Sequence, residues 1–556
     1  MIRIRIDKIV EKTGKNLSDI ARETGINRNT IQSLALGKVN GIKFETIEKL
    51  CSVYGLMIAD ILDRSIPQQA IAVEKHELYK QEGECVPFTM FPPSSALATY
   101  CIPGNEAFAL GALHIYSKGS YIFAYWDATA MRTTAHACYA RLSSRSAFQE
   151  LYSEFSAAGV IIDGLYRKTF EGDIAEFSQE TLCIFLQHVL QACRNFWNQS
   201  IWIDAFDVGV DQEIIKKVCA EYALSADDVQ ILTTPSELTF SGERKRRLFD
   251  IIDDIYSRTW TKEKLTQYVK TDEAVQQYRR DFDYTESNYA MVKHMTNENI
   301  VEEIWGHVQN SDAWKKEYRD LKNYEKDHEL AIKNIVRKKK VKENPLWFFE
   351  RLTIWREYRK KVNLMSIHVF DAILMRIEAL TGIPKMYVQY LVPDEVPNVL
   401  KGLVSLEELK RRREEGIMMT FAGNRFEVIC GEQASSLLRE YNDRLGADTS
   451  TSVVNGQTAC QGYAKGVARI ILDVSQFDRF NEGEILVTGM TRPEFLPLMK
   501  KAAGIVTNEG GITCHAAIVS RELGKPCIIG TKNATTRIPD GATVEVRANH
   551  ATVRIL

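Results

Sequence analysis

Apolar positions recur at helical spacing through the first 66 residues. In NLSDIARETGINRNTIQSLALGK (16–38), Leu17, Ile20 and Ala21 form one stripe, and Ile31 and Leu34 form another. Gly25 and Ile26 break the pattern between them. Side chains three and four apart share one helix face. The spacing predicts a helix over about Leu17–Thr24, a sharp glycine turn, and a helix over about Arg28–Leu36. FETIEKLCSVYGLMIADIL (44–62) adds amphipathic helix to close the core. Residues 67–95, with Pro67, Pro87 and the Pro92-Pro93 pair, read as linker and loop. Over 96–240, apolar runs such as YIFAYWDA (121–128), GVIIDGLY (159–166) and SIWIDAFDVGV (200–210) mix with helical patterns such as FLQHVLQACRNFW (185–197). That mixture predicts α/β or α+β material. Residues 241–440 are long, charged and helix-periodic, and the polar stretch 441–458 reads as a hinge. The last hundred residues change again: GVARIIL, EILVTG, AGIVT, PCIIG, TVEVR and TVRIL are short strand runs, with one helix at HAAIVSRELG.

The expected fold class is multidomain α+β. Residues 1–66 form an all-α helix-turn-helix unit, 67–240 a mixed α/β domain, 241–440 a helical connecting domain and 455–556 a β/α domain. At 556 residues the chain has room for three to four domains of roughly 150 residues. Hydrophobic residues at 45% and charged residues at 26% exclude a largely disordered, collagen-like or coiled-coil chain. Lys+Arg 71 against Asp+Glu 73 leaves a net charge of -2, so any nucleic-acid binding must come from a local patch. The 11 cysteines include no CxxC pair, so the usual zinc and redox spacings are absent and no metal ligands are expected. The N-terminal MIRIRIDKIVEKTGK holds no apolar core of signal-peptide length, and no run of about 18 apolar residues occurs. A cytoplasmic chain with reduced thiols and no membrane contact is expected.

On the second N-terminal helix, Arg28, Asn29, Gln32 and Ser33 fall on the outer face. Arg, Asn and Gln can read base edges in the major groove. Lys38 and Lys43 are candidates for phosphate contacts. Residues 5–63 resemble the Cro/CI-type (XRE) helix-turn-helix family, which implies sequence-specific DNA binding, commonly as a dimer.

The densest chemistry lies at 489–531. AGIVT (503–507) reads as a buried strand, Asn508, Glu509, Gly510 and Gly511 as a tight loop, and the helix begins at His515. An imidazole where a glycine-rich loop meets a helix N-terminus can attack phosphorus. The product's negative charge then sits where backbone N–H groups and the helix dipole favour it. The Thr513 hydroxyl can hydrogen-bond phosphoryl oxygens, and the Cys514 thiol only weakly. The bland alternative is a capping histidine in a structural domain. GGITCHAAIVSRELGKPCIIGT (510–531) resembles the signature of the phosphohistidine swivelling domain of phosphoenolpyruvate-utilising enzymes. These include phosphoenolpyruvate synthase, pyruvate phosphate dikinase and rifampicin phosphotransferase. GYAKGVARII (462–471), GEILVTGMTRPEFLP (483–497) and IPDGATVEVRANHATVRIL (538–556) extend the resemblance to about 455–556. It implies that His515 carries a phosphoryl group between two active sites, with Thr513 beside it. Gly510, Gly511, Cys514 and Arg521 are then the expected phosphate-binding residues. Thr491, Arg492 and Pro493 are expected mainly to form a turn.

The resemblance also implies a phosphoryl donor, ATP or phosphoenolpyruvate, and Mg²⁺ wherever a nucleotide phosphate is handled. No carboxylate set in the sequence locates that ion. Neither GxGxxG nor GxxxxGK[ST] occurs, so no nucleotide-binding domain is indicated, and a separate nucleotide-binding subunit is one expectation. The sequence ends at Leu556, directly after the swivelling segment, so no phosphoenolpyruvate-binding barrel is expected in this chain. The stretch from LTTPSELTF (232–240) through 348–383 to LVPDEVPNVLKG (391–402) resembles, weakly, the helical connecting region of dikinase-like proteins. There Arg351, Arg356, Glu357, Arg359 and His368 read either as a cleft lining or, preferentially, as a solvated helix face with i, i+4 ion pairs. RKKKVK (337–342) reads as solvated surface, and Trp347, Phe348, Phe349, Trp355 and Tyr358 as helix-packing core. Two functions therefore stand: a phosphotransferase using His515, and a DNA-binding regulator whose C-terminal domain senses or merely scaffolds.

Overall fold

A computed structural model describes the chain apart from residues 1–2, 5, 7–8, 11–13, 36–43, 55–61, 64–77, 100–112, 120, 257–259, 310–312, 423–424, 446–451, 473 and 511–513. It is a multidomain α+β protein with two compact units, Met1–Lys75 and His76–Leu556.

In the first unit, helices span Leu17–Thr24, Arg28–Ala35 and Phe44–Tyr54. Asn16 starts the first helix, its side chain accepting the Ser18 and Asp19 N–H groups. Gly25, at φ +64°, ends it in the left-handed conformation that glycine adopts most cheaply. Asn27 Oδ1 accepts the Asn29 N–H at 2.8 Å as the second helix begins. Ile6, Ile9, Ile20, Ile31, Leu34 and Leu50 make the core. A short antiparallel pair, Arg3–Ile4 with Leu62–Asp63, ties the two ends of the unit together.

Among the described residues, the second unit has two sheets. The first is antiparallel, in the order Leu78–Glu84, Tyr121–Asp127, Leu113–Lys118, Ile417–Ala422, Arg425–Cys430. Sheet and core run across the expected border at 240/241, because the strands at 417–430 complete the sheet begun at 78–127. Helices Arg145–Lys168, Gln179–Ser200 and Trp347–Thr381 pack on one another beside it. The 35-residue helix Trp347–Thr381 is about 50 Å long at 1.5 Å per residue. The expected aromatic core holds at its centre: Trp355 is fully buried and its ring meets Phe148, Tyr152, Phe155 and Trp202. A satellite core under helices Phe240–Ile255, Lys262–Thr271, Glu273–Phe282 and Asn297–Gln309 is centred on Leu248, Phe249, Ile252 and Ile304.

Three local expectations fail. The run 159–166 lies inside helix Arg145–Lys168, whose buried Phe148, Leu151, Phe155, Gly159, Ile162 and Tyr166 keep helical spacing while Val160 and Ile161 face out. The run 201–208 is a 3-10 helix buried on several sides, which needs no alternation of polar residues. Residues 78–99 are a strand and helix Pro87–Thr99 rather than a linker, the helix holding Pro92 and Pro93 within it. The expected hinge 441–458 contains the end of helix Glu432–Leu445 and strand Val453–Asn455, with 446–451 outside the described residues.

Among the described residues, the second sheet has eight strands. Tyr463–Ile470, Ile485–Thr488, Gly504–Thr507 and Cys527–Ile529 run parallel at its centre. Gln457–Cys460 pairs antiparallel at one edge, and Thr543–Arg547, Thr552–Ile555 and Val453–Asn455 extend the other. The central strands are buried on both faces, by helices Leu496–Lys501 and His515–Leu523 on one side and by a second apolar layer on the other. Among the described residues, no helix is long and apolar enough to cross a membrane.

Candidate functional site

Strand Gly504–Thr507 delivers the chain into the loop before His515, and the root of that loop is pinned. The Asn508 N–H donates to Thr488 O at 3.1 Å, and the Glu509 N–H to Gly489 O at 2.9 Å. Thr507 Oγ1 donates to Glu509 O at 2.6 Å, and Asn508 Oδ1 accepts the Thr535 N–H at 3.0 Å. Gly510 sits at φ +112°, and a Cβ there would meet Cys514 Sγ at 2.6 Å. Only glycine fits both constraints. Gly511 and Thr513 lie outside the described residues, as does Lys38 of the N-terminal unit.

His515 is the first residue of helix His515–Leu523, half-buried. Cys514 occupies the N-cap in extended conformation, without a side-chain capping bond. Burial pushes the Cys514 thiol up from its ordinary value, against the pull of the Ala517 and Ala516 N–H groups. His515 Nδ1 lies 2.8 Å from Thr491 Oγ1. Thr491 is only 6% exposed, so water does not readily replace that bond. When the hydroxyl accepts the Nδ1 proton, the lone pair stands on Nε2. Burial holds the imidazole below its ordinary pKa; Glu494 and Glu522 oppose the shift, while Lys360 adds to it. The net shift favours the neutral ring.

Thr491 carries more than the expected turn, and spacing alone does not reveal it, because 24 residues separate it from His515. Arg521 sits six residues along the helix, about 9 Å by its rise. Its Nε donates to Ala459 O at 2.8 Å, tying the helix to the edge strand Gln457–Cys460.

Arg492 reaches toward strand Leu78–Glu84, its Nη2 3.4 Å from where a Gly83 Cβ would stand. Beyond it lies a charged cluster. Arg359 Nη2 pairs with Asp204 Oδ1 at 2.5 Å and Arg356 Nη2 with Asp207 Oδ1 at 2.7 Å. Gln81 Nε2 donates to Asp207 Oδ2 at 3.3 Å. Burial pushes the Asp207 carboxyl up, Arg356 pulls it down, and Asp204 pushes it up again. Burial likewise raises the partly exposed Tyr289 phenol, with Arg359 and Arg492 acting against it. The preferred reading of these helix positions as a solvated face is thus corrected. Arg356 and Arg359 pair with another element rather than along their own helix, Arg351 reaches Glu237 at 3.4 Å, and His368 is 3% exposed.

In the N-terminal unit, Arg28, Asn29 and Gln32 are exposed on helix Arg28–Ala35, and Ser33 is partly buried. Among the described residues, one group has metal-ligating geometry: Asp283, His294 and His368. Two imidazoles do not suit Mg²⁺, which takes oxygen ligands.

Residues 480–551 match the mobile domain of phosphoenolpyruvate-utilising enzymes, and residues 5–65 match the Cro/C1-type helix-turn-helix DNA-binding domain. The chain therefore joins these two kinds of domain. A probable phosphoenolpyruvate synthase of Methanothermobacter thermautotrophicus is 48% identical over 116 residues, 21% of this chain and 17% of that protein. The phosphoenolpyruvate synthase of Pyrococcus furiosus is 52% identical over 94 residues, 17% of this chain and 12% of that protein. That of Pseudomonas aeruginosa is 40% identical over 120 residues, 22% and 15% respectively. The matched segment is thus less than a fifth of each of these relatives.

Proposed function

We propose that the protein is a phosphotransferase that carries a phosphoryl group on His515 and binds DNA through its N-terminal unit. The observation that carries the first half is an imidazole at a helix N-terminus with Nδ1 2.8 Å from the buried Thr491 hydroxyl. The Nε2 lone pair attacks the phosphorus of ATP or phosphoenolpyruvate. The bond from phosphorus to the donor's leaving oxygen breaks, and the Nδ1 proton stays in the bond to Thr491. The phosphoryl oxygens gain the N–H groups of the first helical turn. Thr513, Gly510 and Gly511 complete the cradle in this reading, with Cys514 at its edge. Arg521 acts as an anchor for the helix. The charged cluster opposite supports an acceptor station: Arg356 and Arg359 suit an anionic acceptor, and Asp207 is a candidate to take its hydroxyl proton. Mg²⁺ would neutralise a nucleotide donor's phosphates, and a separate subunit is a candidate source of that donor.

The test is to incubate the full chain separately with radiolabelled ATP and phosphoenolpyruvate. Label that is acid-labile and base-stable, and absent from His515→Ala, supports the reading; an unlabelled protein with both donors refutes it.

The second reading is a DNA-binding regulator whose C-terminal domain senses or scaffolds. The exposed Arg28, Asn29 and Gln32 favour it. It predicts operator binding, as a dimer, with steep salt dependence. Arg28→Ala with Gln32→Ala abolishes that binding, whereas His515→Ala leaves it intact.

A further inference from the structure

Asp283, His294 and His368 stand apart from the His515 loop. Asp283 opens the short 3-10 helix Asp283–Glu286, His294 lies in the loop that follows, and His368 lies on helix Trp347–Thr381. One ligand atom from each falls within 4.8 Å of the other two. Both imidazoles turn Nδ1 toward the same carboxylate oxygen: His294 Nδ1 lies 2.7 Å and His368 Nδ1 3.5 Å from Asp283 Oδ2. Asp283 Oδ1 accepts the Met295 N–H at 2.6 Å, which fixes the carboxylate's orientation.

Ser287 orients the His368 ring. Ser287 Oγ donates its single proton to Lys293 O at 3.1 Å and accepts the Lys293 N–H at 3.0 Å. It lies 2.8 Å from His368 Nε2 and, with its proton spent, accepts there. When Ser287 Oγ spends its proton in this way, His368 carries its own proton on Nε2 and turns the Nδ1 lone pair to Asp283 Oδ2. The 3.5 Å separation is long for an N–H···O bond, which fits that assignment. Both side chains are nearly inaccessible, at 2% and 3% exposure.

We infer that Asp283, His294 and His368 form a site for a zinc-class divalent cation. Two imidazole nitrogens and one carboxylate oxygen suit zinc and its neighbours. Bond lengths of about 2.0–2.2 Å place tetrahedral ligand atoms about 3.4 Å apart. The His368–Asp283 pair already stands at that spacing. His294, 65% exposed, needs only a small ring movement to open its 2.7 Å contact, and its side leaves a fourth position to water. Ser287 and the Met295 N–H already supply the outer hydrogen bonds that orient metal ligands. Asp371 and Lys385, paired at 2.9 Å, also face His294, so the surroundings keep a net negative charge. The ion would clip the 287–294 loop to the long helix. That loop also carries Tyr289, which lies near Arg359 and Arg492.

The test uses the full-length chain, stripped with chelator and titrated with Co²⁺ as a spectroscopic substitute for zinc. The expected result is one equivalent bound, with visible d–d bands and no thiolate charge-transfer band. His294→Ala and His368→Gln should each lose that equivalent, and Ser287→Ala should weaken binding about 10- to 100-fold. Zn²⁺ should raise the thermal midpoint of the wild type but not of His294→Ala. Because His294 is mostly exposed, that variant keeps its fold and carries the test even where His368→Gln does not. No bound cobalt, a cobalt–thiolate spectrum alone, or a full equivalent retained in His294→Ala overturns the assignment.

Discussion

Thr491→Val removes one hydroxyl and keeps the side chain's volume. The bond it deletes, 2.8 Å from Thr491 Oγ1 to His515 Nδ1, is shielded from water, since Thr491 is 6% exposed. Losing a buried hydrogen bond of this kind costs about 1–3 kcal/mol. If that energy selects the tautomer with its lone pair on Nε2, phosphorylation slows by about 5- to 150-fold, at 1.36 kcal/mol per factor of ten. The measurement is the initial rate of acid-labile label incorporation at saturating donor, with far-UV circular dichroism confirming the fold. Thr491→Ser keeps the hydroxyl and should recover most of the rate. A positioning role for Thr491 is refuted if the valine variant labels at the wild-type rate, or if serine and valine are equally slow.

Other consequences are open to measurement. Burial lowers the His515 pKa, so the ring stays neutral below its unfolded-state value near 6.5, and the labelling rate should hold its plateau below that pH before falling. Lys360→Ala removes a charge that adds to this lowering and should move the acid limb of the pH–rate profile upward; an unmoved limb means the cation does not act on the ring. Gly510→Ala forces a Cβ into a left-handed position against Cys514 Sγ and should cost about 1–3 kcal/mol, read as a lower thermal midpoint and slower labelling. Ile31→Ala, in the core of the N-terminal unit, should destabilise that unit by about 2–5 kcal/mol and abolish any DNA binding, whereas Gln32→Ala should leave its melting unchanged.

The first two N-terminal helices and the helix beginning at His515 were legible because local signals agreed: two apolar stripes with Gly25 between them, and a glycine pair before the histidine. Strands at 463–470, 485–488 and 504–507 were legible for the same reason, as short apolar runs between turn residues. What escaped was non-local. Proline suggested a linker at 67–95, yet tertiary packing holds a strand and a helix over 78–99. The charges of helix Trp347–Thr381 looked solvated because Asp204 and Asp207 lie some 150 residues away in sequence. Thr491 and the Asp283, His294 and His368 group follow no spacing rule, since each is assembled from separate segments brought together by the fold.

The central claim rests on one nitrogen, and intact-protein mass spectrometry with peptide mapping addresses it most directly. After exposure to ATP or to phosphoenolpyruvate, with the sample kept alkaline, the account predicts a single phosphate on the peptide containing His515, lost on acid treatment. A phosphate mapped to another residue, or none with either donor, contradicts it.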